Sequence, residues 1–248
     1  MRISILGKGS RYEAVRHALI NNGHEIVDDF PDLLVLANYS SIIRKKMYES
    51  VKYGVINCHA GKLPKYRGSS VLNWAIINGE EECGWSIIRI DEGIDTGDII
   101  RDGVFRIASW DDIVSVREKA DYNFASNICP VVSDIELGLA RYRKQYGDAC
   151  YWHHRKPSDS YIKWNEMTAL QVHNLVRASE KPYEAYTYKY NIINPANIVY
   201  ISKSKLIDDL FKGIAGRVVR KVDDGVIVIA KDYGIWVKAD IEVGEQLW

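Results

Sequence analysis

The chain has 248 residues, enough for one large domain or a main domain with a small companion. Hydrophobic residues make up 47% and charged residues 27%, an ordinary composition for a soluble globular enzyme. Lys plus Arg is 33 and Asp plus Glu is 33, so the basic surplus that a nucleic-acid partner usually demands is missing.

Residues 1–10, MRISILGKGS, read as a first strand and a turn, interrupted by charge too soon to be a signal peptide. Residues 11–22 carry Val15, Ala18, Leu19 and Ile20 at roughly helical spacing, with Gly23 as a stop. HEIVDDF reads as a second strand and DLLVLA (32–37) as a third. A polar, Lys- and Arg-rich segment (41–52) suits a helix, and GVINCH (54–59) a fourth strand. Continuous apolar runs joined by helices predict a mostly parallel sheet covered on both faces, with ligands beyond the carboxyl ends of its strands. A helix (VLNWAIINGE), a strand (GWSIIRI), a loop (DEGIDTG) and an extended run to about Ile107 follow. Residues 111–145 read as mostly helical, with Pro130 breaking or kinking the run.

CYWHHRKPSDSY (150–161) reads as a linker, and a short helix over 168–178 comes after it. Beyond about residue 183 the pattern turns to strands: NIVYIS, GRVVRKV, GVIVIA and GIWVKA, separated by turn signals such as Asp223-Asp224-Gly225. The predicted organisation is an α/β main domain over 1–149, a linker and helix over 150–182, and a small, β-rich, barrel-like C-terminal domain over 183–248. No apolar run approaches the ~20 residues that span a bilayer, so no membrane partner is expected. Cys58, Cys83, Cys129 and Cys150 lack C-x-x-C spacing and read as reduced thiols of a cytoplasmic protein, with no metal site.

Side chains alternate along a strand, so Asn57 and His59 share a face while Cys58 points away from them. Cys58 therefore reads as a packed small residue rather than a nucleophile. An acid from the glycine-flanked loop 91–97, set against an imidazole and a carboxamide, suits acyl transfer to an amine. Asp95 would orient and charge-balance His59 while the amine loses its proton, and Asn57 with protonated His59 would stabilise the oxyanion. Taken singly, an Asn-x-His at a strand end is more often a satisfied polar terminus and Asp-x-Gly commonly a plain turn, so pattern alone leaves the bland reading ahead.

Two motifs together say more. VINCHAGKLPKYRG (55–68) followed by DEGIDTGDII (91–100) resembles the folate-dependent formyltransferase family, which carries Asn-x-His-x-x-x-x-Pro and then Gly-x-Asp-Thr-Gly at about this separation. DSYIKW (159–164) and VRASEKPYEAYTY (176–188) extend the resemblance more weakly. It implies a Rossmann-like catalytic domain, Asn57, His59 and Asp95 as catalytic residues, and 10-formyltetrahydrofolate as formyl donor. It further implies that backbone groups of Asn38 to Ile43 and of Asp91 to Asp95 hold the pterin. The candidate positions there are Asn38, Tyr39, Ser41, Ile43, Asp91, Glu92 and Ile94.

Residues 59–79, HAGKLPKYRGSSVLNWAIING, look most like the sugar N-formyltransferases that act on nucleotide-linked aminodeoxysugars. Gly61-Lys62 departs from the Ser-Leu-Leu-Pro common in the tRNA and purine enzymes. Residues 146–248 hold 14 Lys plus Arg against 13 Asp plus Glu, a poor balance for a tRNA-binding domain. The resemblance thus implies a nucleotide-linked aminosugar as acceptor, no nucleic-acid partner, and a homodimer. Lys62, Lys65, Tyr66 and Arg67 are candidate acceptor contacts, with a plain solvated loop as the alternative for Lys62 and Lys65. Trp152 and Arg155 would meet a base and diphosphate, or else belong to a linker whose aromatics seal an interface. Gly7-Lys8-Gly9 lacks the rest of a dinucleotide or triphosphate fingerprint and reads as a tight turn. A methionyl-tRNA formyltransferase, a formyltetrahydrofolate hydrolase and a non-catalytic sugar-nucleotide binder stay in view as alternatives.

Overall fold

The computed structural model describes residues 1–189 and 195–248. The chain divides into two compact units: residues 1–72, 81–108 and 114–153 form the first, and residues 73–80, 109–113 and 154–248 the second.

The first unit is built on a six-stranded sheet. From residue 1 to 153 the elements run β1 (Arg2–Gly7), α1 (Ser10–Asn21), β2 (Glu25–Ile26), β3 (Leu33–Ala37), α2 (Lys45–Ser50), β4 (Val55–His59), β5 (Arg67–Gly68), α3 (Val71–Ile77), which from residue 73 on counts with the second unit, β6 (Glu82–Arg89), β7 (Ile99–Arg106), α4 (Ile113–Glu136) and β8 (Tyr151–Trp152). Strand order in the sheet is β2-β1-β3-β4-β6-β7. The four strands from β2 to β4 run parallel, while β6 pairs antiparallel with β4 and with β7. Burial follows position. All five residues of the central β3 are buried, as a strand covered on both faces requires. The edge strand β7 alternates between half-buried and exposed residues. On one face Leu34, Leu36 and Val55 cluster with Leu6, Ile43 and Ile90.

Three local expectations change. The second strand is only two residues long, and α2 covers six residues of the polar segment. Helix α4 ends at Glu136 and passes through Pro130 unbroken, while most of residues 137–150 lie outside helices and strands. Val116, Ala120, Phe124, Ile128 and Val131 recur along one face of α4, each fully buried. Burying such side chains stabilises by roughly 1.5–3 kcal/mol for each large one, which outweighs the ~3 kcal/mol cost of a proline in a helix. Gly7 fits the tight-turn reading: a Cβ there would lie 1.8 Å from the Ala37 carbonyl oxygen, so glycine lets the ends of β1 and β3 close up. A buried ion pair, Arg11 to Asp121 at 3.0 Å, ties α1 to α4, and Arg11 also donates to the Cys58 carbonyl at the end of β4.

The second unit gathers α5 (Ala169–Arg177), β9 (Tyr186–Tyr188), β10 (Ile198–Tyr200), β11 (Lys203–Leu206), β12 (Val218–Val222), β13 (Gly225–Ile229) and β14 (Gly234–Lys238). Thr168 caps α5 through the Gln171 amide. The strands form an antiparallel sheet in the order β11-β14-β13-β12 and a two-stranded β10-β9 ladder, so the C-terminal region is strand-rich as expected. Its core gathers Ile162, Trp164, Val172, Leu175, Val226, Val228, Ile235 and Val237. Among the described residues no helix is long and apolar enough to cross a membrane.

Candidate active site

Strand β4 presents the two side chains that alternation assigned to one face. Asn57 sits opposite Ile88, and His59, the last residue of the strand, opposite Ser86. The loop after β6 leaves the sheet near the start of β4, where Arg89 pairs with Ile56, and folds back to bring Asp95 to them. Asp95 Oδ1 accepts from Asn57 Nδ2 at 3.3 Å and lies 3.5 Å from His59 Nδ1. Asp95 Oδ2 accepts from the Gly68 backbone N–H at 2.9 Å. The three residues singled out in the sequence are therefore one cluster. The His59 side chain is 6% and that of Asp95 11% exposed.

His59 is held at both nitrogens. Nε2 lies 2.6 Å from the Tyr66 carbonyl oxygen, so Nε2 carries a proton and donates. Nδ1 faces the Asp95 carboxylate and is the nitrogen left to take up a proton. Gly61 makes the contact possible, since a Cβ there would lie 2.4 Å from the Tyr66 oxygen and 2.6 Å from Nε2. Cys58 is buried, and desolvation pushes its thiol up to about 12, which removes the nucleophilic thiolate at neutral pH.

The residues expected at the formyl donor divide by what holds them. Asn38 adopts a left-handed backbone (φ 58°) and donates its side-chain amide to the Lys8 carbonyl. Tyr39 and Ser41 are exposed, and so is Ile94, while Ile43 packs beside Leu34 and Val55. Asp91 serves its own loop, accepting from the Gly93 N–H and the Thr96 hydroxyl. Glu92 is paired with Lys45 at 2.7 Å, which links the acidic loop to the start of α2. Among the described residues no group of three His, Cys, Asp or Glu side chains is arranged to hold a metal ion.

The expected acceptor contacts need more correction. Lys62 and Lys65 are exposed, as a contact or a solvated loop allows. The Tyr66 ring is buried and stacked on Trp152, with centroids 5.4 Å apart, so its site contribution is its carbonyl. Arg67 is half-buried and engaged by its neighbours: it donates through Nε and Nη2 to Gln145 and through Nη1 to the Tyr151 hydroxyl. Trp152 donates to the Lys65 carbonyl, and β8, which contains it, pairs with β5. Arg155, 1% exposed, is packed inside the second unit on Ala178 O, Ser160 Oγ and Ser179 Oγ; burial, which lowers its affinity for a proton, suits it for no solvent-borne diphosphate. Gln145, Gly61 and the Gly68 N–H were not anticipated. The two glycines act through a backbone N–H and an absent side chain, and Gln145 through a side-chain amide bonded to backbone carbonyls far away in sequence, none of which leaves a motif.

Comparison with known proteins gives two family matches, to Formyl transferase over residues 3–129 and to Formyl transferase, C-terminal domain, over residues 155–243. The methionyl-tRNA formyltransferase of Thermodesulfovibrio yellowstonii is 35% identical over 149 residues, covering 60% of this chain and 48% of that protein. The chain thus spans about half the length of this curated relative. Among solved structures, HypX of Aquifex aeolicus aligns over 96% of this chain and 45% of its own, with a TM-score of 0.76 at 18% identity. WlaRD, a sugar 3N-formyl transferase solved in the presence of dTDP and 5-N-formyl-THF, aligns over 98% of this chain and 99% of its own, with a TM-score of 0.74 at 21% identity. At these identities the two structures speak for the fold alone.

Proposed function

Because the chain belongs to the formyl transferase family, we propose that it is an N-formyltransferase that carries a formyl group from 10-formyltetrahydrofolate to the amine of a nucleotide-linked aminodeoxysugar. The observation that carries the activity is the cluster of Asn57, His59 and Asp95 on one face at the end of β4, held within hydrogen-bond or ion-pair reach of one carboxylate oxygen. The donor supplies an activated formyl carbon. Bond formation from the amine nitrogen to that carbon, loss of the amine proton and departure of the folate nitrogen complete the transfer.

The side chains divide that work. The Asn57 carboxamide, held only at 3.3 Å by Asp95, turns its N–H to the formyl oxygen as negative charge grows there. His59, whose Nε2 donates to the Tyr66 carbonyl, faces Asp95 through Nδ1, and the ring stabilises the same oxygen once Nδ1 has taken up a proton. His59 Nδ1, beside Asp95, takes the proton that the amine loses and passes it to the departing folate nitrogen. Residues 38–43 and 91–95 suit a flat heteroaromatic donor: the first stretch lies outside helix and strand, and each offers an exposed isoleucine, Ile42 and Ile94.

The acceptor reading is supported by the charge balance of residues 146–248 and by Gly61-Lys62 in place of the tRNA-enzyme sequence. A second reading, methionyl-tRNA formylation, is favoured by the name of the curated relative. Incubation with formyl donor and a panel of nucleotide-linked aminosugars separates the two. The sugar reading requires a product heavier by about 28 Da, the mass of CO that a formyl group adds in place of hydrogen. It also requires a shallow salt dependence and no competition by initiator tRNA, since phosphate contacts along a tRNA make binding steeply salt-dependent. Formylation of methionyl-tRNA with none of the sugars would replace it. Assembly as a homodimer belongs to the same proposal and is read by light scattering.

A further inference from the structure

Gln145 lies in the irregular stretch after α4, half-buried, with both ends of its side-chain amide engaged. Its Nε2 donates to the Asp95 carbonyl at 2.8 Å and to the Gly97 carbonyl at 2.9 Å. Its Oε1 accepts from Arg67 Nε at 3.1 Å and from Arg67 Nη2 at 2.8 Å. Arginine has donors only, so the pair fixes which end of the amide is oxygen and turns the NH₂ towards the two carbonyls. Arg67 is itself fixed, through Nη1 to the Tyr151 hydroxyl at 2.8 Å and with its guanidinium carbon 5.4 Å from that ring centre. The next residue, Gly68, donates its N–H to Asp95 Oδ2. The contacts therefore close a ring: Asp95 carboxylate, Gly68, Arg67, Gln145 and back to the Asp95 carbonyl.

Asp95 needs such support. Its φ of 51° is a left-handed conformation that a non-glycine residue keeps only where its surroundings hold it. We propose that Gln145 is a positioning residue that holds Asp95 in this conformation, with Arg67 orienting Gln145. The catalytic consequence rests on the formyl-transfer reading; the conformational one does not.

The alternative is a glutamine that only fastens residues 137–150 to the sheet. A double-mutant cycle tells the two apart. Gln145→Ala lowers kcat on the order of 100-fold, the scale of a reacting group displaced by about 1 Å. In an Asp95→Asn background the same substitution adds nothing, because the two residues act as one unit. Gln145→Glu keeps the acceptor for Arg67 but sets a carboxylate against two carbonyls, and is at least as impaired as the alanine variant. Equal losses from Gln145→Ala in both backgrounds would overturn the proposal. Amide exchange of the substrate-free protein tests it independently of turnover: Gln145→Ala speeds exchange in residues 91–97 while β6 and α4 keep wild-type rates. Unchanged exchange in that loop sinks the inference even if formyl transfer is intact, and faster exchange there sustains it even if no acceptor is found.

Discussion

Gly61→Ala adds a single methyl group where the site has no space for one. Its Cβ would lie 2.4 Å from the Tyr66 carbonyl oxygen, 2.6 Å from His59 Nε2 and 3.1 Å from His59 Cδ2. Ordinary contact begins at 3.4 Å, so the carbonyl or the ring has to give by about 1 Å. Neither is the loose end of a flexible side chain. The carbonyl is backbone in the segment leading into β5, and the ring is buried between Tyr66 and Asp95. Because the φ of Gly61 lies outside the left-handed region, the methyl group itself is the perturbation and backbone strain is not. Overpacking of this kind costs about 1–3 kcal/mol. In a chain of this length that lowers Tm by only about 2–4 °C per kcal/mol, so the variant stays folded. Turnover suffers more, on the order of 100-fold, because the displacement falls on a ring aimed at the reacting atoms. Steady-state formyl transfer and a melting curve on the same preparation read both quantities. A Gly61→Ala enzyme with kcat within about 3-fold of wild type, folded and stable, would refute the argument that the Tyr66–His59 contact sets the ring.

Asn57→Ala and His59→Ala each lower turnover by about 100 to 1000-fold, the usual loss for an oxyanion donor, with Tm little changed; unaltered turnover in either removes that residue from the chemistry. Iodoacetamide at pH 8 leaves activity intact and labels exposed Cys150, since burial keeps the Cys58 thiol protonated; inactivation with label on Cys58 in peptide mass mapping contradicts that. Burial lowers the pKa of His173 below its ordinary 6.5, with Arg177 acting in the same direction and bonds to Ser109 and Ser204 against it. The unfolded chain therefore takes up a proton that the fold resists, so stability is complete above that value and falls as pH drops through it towards the folded pKa. Tm of wild type accordingly declines below about pH 6.5, and His173→Gln flattens that slope; equal slopes for the two proteins refute the assignment.

The sequence rendered some parts of this molecule directly and hid others for identifiable reasons. Strand β3 was legible because burial on both faces demands an unbroken apolar run, and Asn57 and His59 because alternation in β4 leaves them one face. The loop Asp95 was legible as part of a paired motif. Strands β5 and β8 carry no periodicity, being two residues each, yet their pairing supplies the Gly68 N–H to Asp95. Arg67 and Arg155 read alike as basic residues among aromatics. Only three-dimensional packing reveals that one holds Gln145 and the other is sealed inside the second unit. Pro130 misled in the opposite direction, since the local preference against helix is smaller than the burial along α4.

What holds the reacting centre bears on where acceptor choice resides. Around Asn57, His59 and Asp95 the partners are backbone groups and internal side chains: the Tyr66 carbonyl, the Gly68 N–H and the Gln145 amide. Such partners fix geometry and charge, and they are indifferent to whether the amine belongs to a sugar or to an aminoacyl group. In the formyl-transfer reading discrimination falls to side chains that solvent reaches, and next to this strand end those include Lys62 and Lys65, which lie between the buried residues Gly61 and Tyr66. Lys62 lies 3.9 Å from Glu82, so its charge is partly met within the protein, and exchanging Lys62 and Lys65 while comparing acceptors reads whether either lysine sets the choice.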